Sequence, residues 1–108
     1  MLKKENRLVE IKKKTEKKIS TPLFNLGLVK NGLDVSRFAF IITKKVDKRA
    51  TVRNKTRRKV RSVIEEIFNK IEKGRDFIFY LKSGAVEATR EEILSETNST
   101  FLRNKLLK

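Results

Sequence analysis

Residues 44–71 read KKVDKRATVRNKTRRKVRSVIEEIFNKI, and this stretch predicts the element around which the fold is built. Its later half places apolar side chains three and four residues apart, which is the spacing of one side of an α-helix. The apolar positions are Val60, Val63, Ile64, Ile67, Phe68 and Ile71. The pattern predicts an amphipathic helix over residues 51–73, with Thr51 as its cap and Gly74 just beyond its end.

The first part of this stretch concentrates positive charge. Residues 44–61 hold ten Lys or Arg and one acid, Asp47, so they carry +9 of the chain's net +15. Because like charges at this density repel one another, a polyanion that neutralises them is the natural explanation. Beside the apolar side of the predicted helix lies a continuous stripe formed by Arg53, Asn54, Arg57, Arg58 and Arg61. A helix docked by its apolar side presents this stripe to solvent, where guanidinium groups can meet phosphates.

Composition narrows the classes of function. The chain has 108 residues, which fits one domain, and carries 28 Lys or Arg against 13 Asp or Glu. It contains no cysteine and no histidine, which excludes disulfides, thiolate metal sites and nucleophiles activated by histidine. No apolar run approaches the length of a membrane span, and no signal-type apolar region follows the first residues. A soluble cytoplasmic protein is therefore expected.

The rest of the chain alternates apolar segments with turn signals. Residues 5–18 predict a short amphipathic helix, with a disordered basic tail as the alternative, and Pro22 prevents its continuation. Residues 23–30 and 35–43 predict two strands joined as a hairpin at Asn31-Gly32, the second of them buried and central. Residues 76–82 predict a third strand, and residues 89–105 a last helix that begins with a capping box.

The predicted order is α-β-β-α-β-α, which indicates an α+β two-layer sandwich: one mixed sheet with helices packed on it. The two strands joined through the long helix are expected to be parallel neighbours or near neighbours.

The basic stretch also resembles the signature of a known family. It reads TKKV at residues 43–46 and ATVRN at residues 50–54, followed by Arg57, Arg58 and Arg61. This spaced set resembles the signature of the bacterial ribonuclease P protein component. The resemblance extends to the start of the third strand, GRDFI at residues 74–78, to SGA at 83–85 and to FLRNKL at 101–106, so it covers nearly the whole chain.

The resemblance implies a specific function. Residues 1–108 would form a single RNA-binding domain, the protein subunit of a ribonucleoprotein that removes the 5′ leader from precursor tRNA. The implied partners are ribonuclease P RNA and precursor tRNA, with no membrane and no further protein required. The RNA subunit would hold the Mg²⁺ ions and perform the hydrolysis, and the protein would contribute no catalytic residue and no metal ligand. The family fold also implies a left-handed β-α-β crossover through the long helix.

The residues expected to contact RNA all lie in the basic stretch. They are Lys44, Lys45, Lys48, Arg49, Arg53, Asn54, Lys55, Arg57, Arg58 and Arg61.

In this family a groove between the sheet and the first helix holds the 5′ leader, and aromatic side chains help to line it. At the two matching positions on the first predicted helix this chain has Leu8 and Lys12 instead of aromatics. The leader-groove candidates are therefore Leu8 and Lys12 together with Phe24, Phe38 and Phe40.

Other classes of function remain open on the residues alone. A general RNA-binding module, such as a ribosomal protein or RNA chaperone, would carry the same basic face. A protein nuclease would need converging carboxylates, whereas the acids of the basic half are scattered through the sequence. They are Glu5, Glu10, Glu16, Asp34 and Asp47. A polybasic membrane binder is disfavoured because the apolar faces are needed for the core.

Overall fold

The computed structural model describes residues 2–8 and 15–108, which form one four-stranded sheet with helices packed on it. The strands are β1 (Lys17–Ser20), β2 (Phe24–Lys30), β3 (Arg37–Ile41) and β4 (Arg75–Leu81). The α-helices are α1 (Ala50–Ile67), α2 (Ser83–Glu87) and α3 (Arg90–Arg103), and short 3₁₀ turns occupy Lys4–Asn6 and Phe68–Lys70. The predicted α+β class with one mixed sheet is confirmed, whereas the predicted element order lacked one strand and one short helix.

The sheet has the strand order β1-β2-β4-β3. β1 pairs with β2 and β2 with β4 in antiparallel register, and β3 pairs with β4 in parallel register. The two strands joined through α1 are thus parallel neighbours, as the sequence predicted. The implied left-handed crossover stays a prediction.

The predicted hairpin and the predicted central strand were wrong. β4 lies between β2 and β3, and β3 is an edge strand of the sheet. β4 carries consecutive buried apolar residues at Phe77, Ile78 and Phe79, so both of its faces are covered and the central place suits it. A polar cluster then secures β3 beside it: Arg37 donates two hydrogen bonds of 2.8 Å to the Asp76 carboxylate.

The core lies between the sheet and the two longer helices. Val60, Val63 and Ile64 of α1 are fully buried, as the apolar pattern predicted. From α3, the Phe101 ring stacks on Phe77 with the ring centroids 5.5 Å apart. Because alternate residues of a strand point to opposite faces, Phe77, Phe79 and Leu81 form the helix-covered side of β4.

The boundaries of α1 differ from the prediction at both ends. The helix begins at Ala50, with Arg49 rather than Thr51 in the N-cap position. It ends at Ile67 instead of continuing to residue 73, because the backbone of Ile71 forms a bridge with Leu107 near the carboxyl terminus. Gly74 has a φ of +89°, a left-handed conformation that glycine adopts without strain.

The predicted first helix was wrong where the structure describes it. Lys4–Asn6 form a 3₁₀ turn, Arg7 pairs with Phe38 at the outer edge of β3, and Lys17–Ser20 form strand β1. β1 places Ile19 against the core, which gives an edge strand a reason to form there. The rest of that prediction, residues 9–14, lies outside the described residues.

The segment after β4 was predicted only as a break. It forms α2, and Gly84 is required there because a Cβ at this position would lie 2.7 Å from the Pro22 carbonyl oxygen. The predicted capping box of α3 is confirmed: Thr89 Oγ1 accepts from the Glu92 N–H, and the Glu92 carboxylate accepts from the Thr89 N–H. These hydrogen bonds lower the pKa of Glu92. In the described part of the chain, no helix is long and apolar enough to cross a bilayer.

Candidate nucleic-acid interface

The loop between β3 and α1 is organised by Asp47, the acid of the basic stretch. Its carboxylate accepts hydrogen bonds from the Arg49 N–H at 2.9 Å and from Arg49 Nη2 at 2.9 Å. The bonds from the Arg49 side chain and backbone lower the pKa of Asp47 to about 2. Asp47 is 13% exposed and Arg49 is 71% exposed, so the pair fixes the loop from the inside while the guanidinium still faces solvent.

Arg53 braces the same loop from the first turn of α1. Its Nη1 donates to the backbone oxygens of Asp47 and Lys48, both at 2.9 Å. The half-buried Arg53 is therefore a positioning residue as well as a cation near the predicted RNA face. Around this braced loop the side chains of Lys44, Lys45 and Lys48 are exposed.

One side of α1 presents the predicted arginine stripe. Asn54 and Arg58 are exposed, and the Asn54 side-chain oxygen accepts a hydrogen bond from Arg57 Nη1. Farther along, the guanidinium carbon of Arg61 lies 5.6 Å from the centroid of the Phe40 ring, a cation–π contact that joins the stripe to β3. The predicted stripe is thus one continuous surface that runs from the loop to the edge of the sheet.

The electrostatics of this surface are unfavourable in the isolated protein. α1 has no acid in its first turn and no side chain that caps its N-terminus, where the helix dipole disfavours cations. Of the ten cations at residues 44–61, only Arg49 forms a salt bridge with another described residue. A bound polyanion would relieve both costs at once.

Two lysines lie on the other side of α1 and differ from each other. Lys55 is exposed, as expected for an RNA contact. Lys59 is instead half-buried, and its Nζ donates to the backbone oxygens of Ala88 at 2.7 Å and Val86 at 3.2 Å. Burial lowers the pKa of Lys59. This lysine holds α2 against α1, a role that its place in a basic run did not reveal.

The leader-groove candidates separate into three groups. Phe24 is 0% exposed and packs edge-on against Phe79, so its prediction as a groove residue was wrong; it belongs to the core. Lys12 lies outside the described residues. Leu8, Phe38 and Phe40 do come together, along a groove of about 360 Å³ at the outer edge of β3. Phe38 is 2% exposed and stacks on Phe77, so it contributes to the floor of this groove.

The sequence-based predictions lacked an exposed aromatic residue on the opposite face of the sheet and two residues that line this groove. Leu2 and Arg7 line it, because the Leu8 N–H donates to the Phe38 carbonyl and lays the amino-terminal segment along β3. No sequence pattern marks that pairing. Tyr80, in an apolar run of β4, is 40% exposed because it points away from the helices. The alternation of strand positions could have identified it.

Comparisons with known proteins agree with these features. A profile of the family described as Ribonuclease P matches residues 1–105. The chain is 36% identical over 72 residues to the Ribonuclease P protein component of Microcystis aeruginosa, and the match covers 67% of this chain but 60% of that protein.

Solved structures show the same fold. The RNase P protein from Thermotoga maritima superposes with a TM-score of 0.73 at 24% identity, over 81% of this chain and 82% of that one. The RNase P protein of Staphylococcus aureus superposes with a TM-score of 0.73 at 20% identity, over 85% and 84% of the two chains. With the profile match spanning almost all of its length, this chain belongs to the ribonuclease P protein family.

Proposed function

We propose that this chain is the protein subunit of ribonuclease P, which binds the catalytic RNA and assists removal of the 5′ leader from precursor tRNA. The observation that carries the proposal is the basic surface of the loop and α1. Residues 44–61 hold ten cations on a defined scaffold, nine of them besides the Lys59 that contacts α2, and Arg49 alone is paired with a carboxylate among the described residues. Membership of the family supplies the identity of the polyanion.

The surface suits a phosphate backbone in its geometry. Arg57 and Arg61 are about one helical turn apart, about 6 Å along the axis, and Arg58 lies beside them on the exposed side. Each guanidinium can donate two parallel hydrogen bonds to one phosphate. The lysines at 44, 45 and 48 add point charges from the braced loop, so several successive phosphates can be neutralised together.

The chemistry of cleavage is assigned to the RNA. Mg²⁺ is held by oxygen ligands, and a protein site with two metal ions needs several converging carboxylates. Within residues 2–8 and 15–108, no three acids come together in a way that could hold a metal ion. The proposed role of the protein is to let charged RNA strands approach one another, while the RNA subunit holds Mg²⁺ and performs hydrolysis.

The groove at the edge of β3 is the proposed place for leader nucleotides. Phe40 offers a half-buried ring, Arg61 lies over that ring, and Leu8 supplies an apolar wall. Unpaired bases stack on aromatic rings and on guanidinium planes. Because Arg61 also belongs to the α1 stripe, the groove adjoins the surface proposed for the catalytic RNA.

Binding measurements test this proposal. Wild-type protein should bind ribonuclease P RNA more tightly than an unrelated structured RNA of equal length, and the affinity should fall about 10³-fold between 50 and 200 mM salt if about six phosphates are contacted. The variant Arg57→Glu/Arg61→Glu should bind this RNA much more weakly and retain its circular dichroism spectrum. The matched control is Lys4→Glu/Lys70→Glu, which changes the charge equally at two exposed positions outside residues 44–61.

A general RNA-binding module is the alternative. It would show the same steep salt dependence, but its affinities for the two RNAs would be equal. An RNA affinity that hardly changes with salt would contradict both the ribonuclease P subunit and the general RNA-binding module.

A further inference from the structure

A second basic surface lies at the other end of the sheet. A concavity of about 350 Å³ there is lined by Lys30, Gly32, Glu72, Lys73, Gly74, Arg75 and Lys105. An adjoining concavity shares Lys30 and Arg75 and adds Lys17 and Glu16. We refer to Lys30, Lys73, Arg75 and Lys105 as the second basic cluster.

The sheet register separates this cluster from the α1 surface. Lys30 pairs with Arg75 at one end of the β2–β4 ladder, and Phe24 pairs with Leu81 at the other. The loop that leads to α1 follows Ile41, which pairs with Tyr80 near the Leu81 end. Leu81 lies six residue steps along the strand from Arg75, which is about 20 Å at 3.3 Å per residue. The two basic surfaces are therefore distinct.

The charge of the second basic cluster is not neutralised within the described part of the protein. None of its four side chains forms a hydrogen bond or salt bridge with a residue there. Glu72 is the one acid that lines the first concavity, so four cations face one carboxylate. The nearby Asp76 is already engaged by Arg37 and by the Asn31 side-chain amide. In the adjoining concavity, the Glu16 carboxylate accepts from the Lys30 backbone N–H.

The backbone at Lys105 is a second, independent observation. Lys105 has a φ of +57°, a left-handed conformation in which a residue with a side chain is strained. It follows the end of α3, where the Leu106 N–H donates to Phe101 O at 2.8 Å and the Lys105 N–H to Leu102 O at 3.2 Å. These two hydrogen bonds form a Schellman motif, and glycine is the usual residue at the left-handed position of that motif. A lysine there costs stability, and it adds a cation to the concavity.

We propose that the second basic cluster binds phosphates of a second RNA segment, separate from the segment held by α1. The inference rests on the proposed function, because it assumes that the partner is a large RNA. Apart from two glycines, every residue that lines the first concavity is charged, so it suits phosphate oxygens better than an apolar protein or lipid surface. The protein, with dimensions of 36 × 28 × 25 Å, would then brace two RNA segments from opposite ends of its sheet.

The test removes three charges from the cluster. The variant is Lys30→Gln/Lys73→Gln/Lys105→Gly, and the control is Lys4→Gln/Lys70→Gln/Arg103→Gln, which removes three charges at exposed positions outside the concavity. Binding to ribonuclease P RNA is measured over a range of salt concentrations. The cluster variant should bind about tenfold or more weakly at low salt, and its salt slope should fall by about 2 to 3, at about 1 per phosphate contact. The control should keep the wild-type slope.

Two further measurements exclude trivial causes. Lys105→Gly alone should melt at the same or a higher temperature than wild type, because it relieves the left-handed lysine. Weaker RNA binding by this variant could therefore not be attributed to a loss of folded protein. Backbone footprinting should show two protected RNA segments, of which the cluster variant loses one and Arg57→Glu/Arg61→Glu loses the other.

The results also separate this inference from the proposed function. If the cluster variant and the control both match wild type in affinity and slope, the second contact is refuted while the proposed function stands. If wild type shows no preference for ribonuclease P RNA, the proposed function fails. The slope comparison on any structured RNA then still supports or refutes the cluster as a phosphate site.

Discussion

Two adjacent cations of the basic stretch are expected to respond to mutation in opposite ways. Arg58 is exposed, and its one described contact is a long hydrogen bond of 3.4 Å to Asn54 O. Lys59 is half-buried and donates to two backbone oxygens at the end of α2. Replacing each by methionine removes the charge and keeps an unbranched stem that can pack as before. We expect Lys59→Met to reduce stability and Arg58→Met to reduce RNA binding.

The magnitude follows from the contacts. A hydrogen bond from a charged group contributes about 1.5–3 kcal/mol when it is buried. Water can replace part of the two bonds of Lys59 because its side chain is partly exposed, so we expect Lys59→Met to lower the free energy of unfolding by about 2 kcal/mol. At about 2.1 cal/mol/K per residue over 108 residues, this corresponds to a melting temperature about 9 °C lower. Arg58→Met should change it by about 2 °C or less.

Thermal unfolding by circular dichroism and RNA binding over a range of salt concentrations test both variants. Arg58→Met should make the salt slope shallower by about 1, and Lys59→Met should leave it unchanged at a temperature where both proteins are folded. If Lys59→Met kept the wild-type melting temperature and lost salt dependence, Lys59 would be an RNA contact. The role inferred from its two carbonyl partners would then be wrong.

Three further changes test local features. The pKa of Asp47 is lowered from 3.8 to about 2. The stabilisation by its pair with Arg49 should therefore be full at neutral pH and be lost as the pH falls from about 4 to about 2. An NMR titration midpoint near 3.8 would contradict this. Gly84→Ala should cost about 2 kcal/mol, since its Cβ meets the Pro22 oxygen, whereas the exposed neighbour change Ser83→Ala should be nearly neutral in chemical denaturation. Thr97→Val should stabilise the fold by about 1 kcal/mol, because the buried Thr97 hydroxyl has no hydrogen-bond partner among the described residues; a lower unfolding midpoint would refute it.

The parts of the fold that were predictable from sequence depend on local periodicity. The apolar side of α1, the capping box at Thr89 and the strand at β4 each have a signal within a few residues. The pairing of strands has no such signal. Asn31-Gly32 favours a hairpin locally, but the buried run of β4 competes for the place beside β2, and the Arg37–Asp76 pair across β4 and β3 secures that order. Arg37 and Asp76 are far apart in sequence, so their pairing could not be predicted.

The candidate site shows the same limit. The basic surface as a whole was predictable, because charge and helical spacing are properties of the sequence. The separate roles within it were not. Arg53 braces the loop through backbone oxygens, and Lys59 holds α2, and both roles depend on where distant carbonyl groups lie. Phe24 was predicted to be a groove residue because the sequence does not reveal that its ring packs on Phe79.

The most direct test of the central claim is cleavage of a precursor tRNA by a bacterial ribonuclease P RNA at low Mg²⁺, with and without this protein. We predict that the protein restores accurate removal of the 5′ leader, and that protein without RNA cleaves nothing. Arg57→Glu/Arg61→Glu should abolish the stimulation, while Lys4→Glu/Lys70→Glu should retain it. If the wild-type protein binds the RNA but never stimulates cleavage, the subunit assignment is contradicted. If cleavage persists when the RNA is left out, the assignment of catalysis to the RNA is contradicted.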